Sequence, residues 1–305
     1  MKFVPILPGV YHISAMINGD SLDESPFIIE VQKRKLEVDG ELHLQNETLQ
    51  KPADIAVSSK GLIAIADYGK NCILICDKEG KIVRQVGCKG KNPGQLSNPD
   101  GVTFINDDEI LVADQSNHRV QKLNVHSAQN FVNSFGQCGT GDGNLKNPAG
   151  VCIDDEGRII VSEYNNHRVQ ILTRDGVAML KFGDSGLEKL KNPVGCICYK
   201  NMFIVADSGN SCLKIFNSSG NFLRKIGEKG NEDGQFLSPF GLCVDQHRNI
   251  LVSDKESGHV QKFTIEGHFT GKTVKKLIWP WGMAAMPDDR ILVCDYNAGK
   301  VLFLK

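Results

Sequence analysis

The chain has 305 residues, 41% of them hydrophobic and 23% charged, with a formal net charge of −1. This balance suits a folded globular protein and excludes a strong overall field for acidic or basic partners. The charge is uneven: residues 1–50 hold 4 Lys/Arg against 8 Asp/Glu, and residues 51–305 hold 31 against 28. None of the ten cysteines forms a C-x-x-C pair, and Cys152, Cys196, Cys198, Cys243 and Cys294 fall inside expected strands. Reduced, buried thiols are therefore expected instead of a disulfide framework. The opening MKFVPILPG is cut by Pro5 and Pro8 and does not make a signal peptide. No apolar run approaches the length of a membrane span, so a cytoplasmic protein without membrane contact is expected.

Residues 1–31 alternate apolar and polar side chains on either side of Asn18-Gly19. That pattern predicts a hairpin of strands Val10–Met16 and Phe27–Val31. Two strands cannot hold a core alone, so the piece either docks on the repeats or belongs to an incomplete domain. Residues 32–48 are polar and read as a connector.

From about Leu49 one pattern recurs six times. Its cleanest copy is Asn147–Leu172, NPAGVCIDDEGRIIVSEYNNHRVQIL. A proline opens each copy: Pro52, Pro99, Pro148, Pro193, Pro239 and Pro280. A large apolar residue stands three positions earlier, and two positions later stands Asp54 in the first copy and Gly101, Gly150, Gly195, Gly241 or Gly282 in the others. A second strand ends in an acid: Asp67, Asp114, Glu163, Asp207, Asp254, Asp295. This strand is apolar on both faces, so neighbouring sheets are expected to cover both. The acid is expected to accept N–H groups of the turn after it, and the glycine to let strands crowd near an axis. A third strand comes next, and a fourth ends at Val86, Phe135, Phe182 and Ile226.

Four strands per copy of roughly 45 residues, six times over, predict an all-β, six-bladed β-propeller. The sixth copy stops after its third strand. Its fourth is expected from residues 35–45, which would lock the first and last blades together. The organisation is thus a hairpin at 1–31, a connector with the closing strand at 32–48, and the propeller at 49–305.

The repeat, with Asn117-His118-Arg119 and Asn166-His167-Arg168 at its turn, resembles the NHL repeat over about 255 residues. Pro8-Gly9-x-Tyr11, Asn18-Gly19 and Ser25-Pro26-Phe27 resemble the last two strands of a filamin-type immunoglobulin repeat. The two together resemble the tripartite-motif (TRIM) NHL family. That resemblance implies a face that binds RNA in some members and proteins in others, and an association with RING-type ubiquitin ligation. The Cys/His spacing of a RING is missing from this chain, so it could only be a recruiting end of such a ligase.

In a propeller, the turn between strands two and three and the loop that leads into strand one open on one face. The candidate binding residues there are Tyr68, Lys70, Asn117, His118, Arg119, Tyr164, Asn166, His167, Arg168, Phe240, Trp281, Tyr296 and Lys300. Asp100, Asp142, Glu228 and Glu232 dilute the basic character of that face. Arg and Lys suit phosphates, and aromatic rings suit stacked bases. Recognition of single-stranded or looped RNA for post-transcriptional regulation is one expectation, and a protein-interaction surface around Phe240, Trp279 and Trp281 is the other. At each position a plain turn or solvated role competes, since Asn in a turn caps backbone groups. A propeller hydrolase or lyase would need His and carboxylates converging on the axis, and the inner strands offer no His and one acid, Asp54. No catalytic residue, metal site, cofactor or small-molecule substrate is expected.

Overall fold

The computed structural model describes residues 9–18, 20–21, 25–31 and 35–305. Each repeat folds as one antiparallel sheet, its strands in chain order from the axis outward. In the first blade they are Pro52–Val57, Ile63–Asp67, Cys72–Cys76 and Ile82–Val86, and in the third Pro148–Ile153, Ile159–Glu163, Arg168–Leu172 and Ala178–Phe182. In the sixth, Pro280–Ala285, Ile291–Asp295 and Lys300–Leu304 are completed by Val38–Glu41, with Leu302 opposite Glu41 and Leu304 opposite Val38. An edge at Lys300–Leu304 would expose unpaired N–H and C=O groups, and the earlier segment removes it. Leu36 and Leu42, on either side of that strand, are buried. The propeller is six-bladed, as the repeat spacing predicts.

Second strands such as Ile63–Asp67, Ile159–Glu163 and Ile291–Asp295 are buried at every residue. They must be apolar on both faces because a blade lies against each. The core is accordingly divided. One cluster fills each gap between neighbouring blades, as where Ile75 and Val86 meet Leu96 and Val112, and where Leu42, Phe303 and Met286 meet Ile55 and Ile65. Burying one such aliphatic side chain stabilises the fold by about 1.5–3 kcal/mol.

The inner strands carry a register shift just after the proline in every blade, as between Pro99 and Val102. The glycine sits in it. A Cβ on Gly241 would run into the carbonyl oxygen of Trp281, and one on Gly282 into the carboxylate of Asp54. Crowding at the axis therefore requires glycine at these two positions.

The N-terminal hairpin is present, with Gly9–Ile13 paired against Phe27–Val31 and Tyr11 opposite Ile29. Gly19 of the expected turn, and Pro5 and Pro8, lie outside the described residues. Among the described residues no helix is long and apolar enough to cross a membrane.

Candidate binding face

The acid that closes each second strand organises the top of its blade, and it reaches further than the adjoining turn. Asp67 accepts the N–H of Gln50 (2.9 Å) and Lys51 (3.1 Å), just ahead of the inner strand, as well as that of Lys70 in the turn (3.0 Å). Asp295 accepts the N–H of Ile278 and Trp279, and Asp254 those of Leu237 and Ser238. The chain approaching the proline needs acceptors for N–H groups that no strand pairs, and the carboxylate supplies them.

The same networks absorb the turn residues expected to face a ligand. Arg168 is 3% exposed. Its guanidinium pairs with Glu163 (2.5 Å) and donates to the carbonyls of Thr140, Gly141 and Asn144 (2.7, 3.0 and 3.0 Å). Arg119 pairs with Asp114 (2.8 Å) and donates to the carbonyls of Asn92 and Gln95. Asn117 and Asn166 donate to the carbonyls of Gly90 and Gly139, both at 2.9 Å. His118 and His167, both at positive φ, accept the N–H of Asn147 and Asn192 in the next blade. Each of these side chains clamps a loop. Lys70 pairs with Glu47 and Lys300 with Glu41, so both cations are matched.

The aromatic candidates do converge. Tyr68, Tyr164, Phe240, Trp281 and Tyr296 line a pocket of about 290 Å³ at the mouth of the axis. Trp281 stacks on Tyr296 with ring centroids 4.3 Å apart, Phe240 meets Trp281 edge-on at 4.5 Å, and Tyr68 meets Tyr296 edge-on at 5.8 Å. Trp279 lies 6.3 Å from Trp281. The remaining wall is Val194 and the polar side chains Asp100, Gln115, Asn147, Asn165 and Lys255. Gln115 and Lys255 occupy the same repeat position as Tyr68, Tyr164 and Tyr296, immediately after the acid. The sequence places Lys255 on this face as a turn residue, whereas Gln115 is found only by taking the whole column. Asn147 stands in the column before the proline, where Asn98 and Asn192 also stand, whereas nothing in the repeat pattern marks Asn165.

Below the pocket, the inner strands enclose a cavity of about 320 Å³. Asp100 lines both spaces. It accepts from Gln115 Nε2 (2.7 Å) and Trp281 Nε1 (3.2 Å), and Asp54 accepts from Val102 N (3.0 Å). Burial pushes Asp54 up to about 7. Burial and then the charge of Asp54 do the same to Asp100, because ionising either carboxyl costs solvation that neutral donors restore only in part. Burial raises Tyr296 as well. No histidine lines either space, and no group of three or more His, Cys, Asp or Glu is arranged for a metal ion among the described residues.

Comparison with known proteins agrees with this architecture. Residues 49–76, 96–123 and 145–172 match the NHL repeat family, and residues 189–303 match a 6-bladed beta-propeller family. The chain carries NHL repeats. It is homologous over part of its length to tripartite-motif NHL proteins. The E3 ubiquitin-protein ligase TRIM32 of Mus musculus is 28% identical over 109 residues, covering 32% of this chain and 16% of that protein. The E3 ubiquitin-protein ligase NHLRC1 of Rattus norvegicus is 30% identical over 122 residues, covering 39% of this chain and 31% of that protein. The matches thus span less than a third of these relatives' length. Virginiamycin B lyase from Staphylococcus aureus superposes with a TM-score of 0.62 over 88% of this chain and 84% of its own, at 15% identity, a likeness of fold alone. The NHL match covers the first three blades, including both Asn-His-Arg turns.

Proposed function

We propose that the chain is a non-catalytic docking module whose axial face holds a partner protein, as the substrate-recruiting end of a ubiquitin ligase. The observation that carries this is the pocket of five aromatic residues at the mouth of the axis. Rings of this kind, held by neighbours on a rigid scaffold, are typical anchors of protein interfaces. The arginines that would have made the face an RNA platform are instead bonded to carboxylates and carbonyls inside the fold. The two relatives' names supply the ligase context. Assignment of the hairpin Gly9–Val31 to a filamin-type repeat is part of the same proposal and rests on its sequence pattern.

RNA recognition is the second reading, and the exposed lysines Lys89, Lys146, Lys229 and Lys275 on the loops around the pocket favour it. Asp142, Glu228 and Glu232 on the same loops are also exposed and dilute the field. Capture of partners from a cell lysate on the immobilised protein separates the two. Partners that survive RNase and are lost in Trp281→Ala support protein docking. Partners released by RNase, together with direct RNA binding that weakens steeply with salt, would transfer the function to RNA.

A further inference from the structure

We propose that the axial pocket is a receptor for one cationic side chain, an arginine or lysine projecting from an extended segment of the partner, which takes the place of Lys255 on the ring faces and ends against Asp100. This deepens the protein-docking reading and rests on it.

The ring faces already hold a cation. Lys255 Nζ lies 4.7 Å from the centroid of Phe240, 4.6 Å from that of Trp279 and 5.5 Å from that of Trp281. Lys51 Nζ stands 5.6 Å from that of Tyr296. Ring centroids within about 6 Å of an ammonium attract it through the aromatic quadrupole. Lys255 comes from the turn of the fifth blade and is only half-buried, so an incoming cation can displace it into solvent.

The floor favours a cation over an anion. Asp100 is 3% exposed, and Asp54 stands behind it in the lower cavity. Among the described residues neither has a cationic partner at ion-pair distance; their donors are an indole, a side-chain amide and a backbone N–H. Buried charges are ordinarily paired, and Asp100 lines the pocket. A phosphate or carboxylate at that floor would meet like charge, which excludes an anion from the deepest position. A pocket of about 290 Å³ is at the small end of ligand sites and suits one long side chain with its flanking backbone. The rings would hold its stem and Asp100 its head. Arginine adds planar stacking and a bidentate match to the carboxylate.

Trp279 and Trp281 are the only tryptophans in the chain, so intrinsic fluorescence reads this pocket directly. The probes are the blocked tripeptides acetyl-Gly-Arg-Gly-amide and acetyl-Gly-Lys-Gly-amide, with acetyl-Gly-Glu-Gly-amide as control, titrated into the millimolar range against the full chain. Saturable emission changes are expected with the two cationic peptides only. Lys255→Ala should tighten them by about threefold to tenfold, because the ring faces no longer hold an internal competitor. Asp100→Asn should weaken them at least about tenfold with an unchanged far-ultraviolet circular dichroism spectrum. Affinity should fall as pH drops through about 7, where Asp100 takes up a proton. No saturable change in the wild type or in Lys255→Ala, or equal binding of the glutamate peptide, overturns the assignment. Should that happen while RNase-resistant capture still depends on Trp281, the docking function stands and only the ligand chemistry falls.

Discussion

Arg168→Ala is the sharpest test of whether the turn arginines serve the fold. The substitution removes one guanidinium that faces Glu163, itself fully buried, and three carbonyls of the loop Thr140–Asn144. Removing one partner of a buried pair leaves the other charge uncompensated, at a cost of about 3–5 kcal/mol. Glu163 keeps the N–H of Lys146 and the amides of Asn166 and Gln170, which argues for the lower end, about 3 kcal/mol. Adding Glu163→Leu should not restore stability, since those three donors would then lose their acceptor. Urea denaturation monitored by tryptophan fluorescence and by far-ultraviolet circular dichroism measures the loss as a lowered midpoint at constant slope. A cost under about 1 kcal/mol for Arg168→Ala, together with loss of partner or RNA binding, would refute this role. The guanidinium would then be a ligand contact despite its burial.

Asp54 has its folded-state pKa raised to about 7 from 3.8. The folded chain therefore binds more protons than the unfolded one between those values, and stability falls as pH rises through that window and levels off above it. From pH 5 to 7 the loss from Asp54 is about 2 kcal/mol, somewhat under two units at 1.36 kcal/mol each because the slope fades near the folded pKa. Asp54→Asn should flatten the pH dependence of the melting temperature, and an unchanged slope would refute the assignment. Leu42→Ala should cost about 2–4 kcal/mol, because Leu42 packs between the first and last blades beside Phe303 and Ile55. If Leu42 lay on a dispensable tail, denaturation would show no change. Of the ten cysteines only Cys88 and Cys138 are exposed, and burial pushes the Cys72 and Cys212 thiols up to about 12. An aromatic disulfide reagent at pH 8 should label about two thiols in the native protein and all of them in denaturant. Rapid native labelling of most thiols would contradict the burial.

Much of the candidate site is legible in the sequence, and the part that is not has a physical cause. Phe240 and Trp281 lie between proline and glycine, so their place by the axis follows from the repeat alone. Tyr68, Tyr164 and Tyr296 share the column after the acid and meet at the same mouth. Arg119 and Arg168 share the neighbouring turn and point the other way, inward to Asp114 and Glu163. Residue type does not separate these outcomes, because an arginine suits a phosphate and a buried carboxylate equally well. Asp100, also between proline and glycine, is placed beside the axis by the repeat but reads there as a charge diluting a basic rim, whereas the structure makes it the floor of the pocket.

Local periodicity and counting are enough to specify the repeat, its four strands, the six blades and the origin of the closing strand. Each copy carries the same information as its neighbours, so one misread residue does not change the answer. Which polar side chains look outward is a matter of three-dimensional packing. That choice depends on the distance from each turn to the loop approaching the next inner strand. Where a carbonyl or carboxylate lies within hydrogen-bond reach, as for Arg168, the side chain turns inward to satisfy it. Where the rings of neighbouring blades pack on one another, as Trp281 does on Tyr296 and Phe240, they line the open mouth.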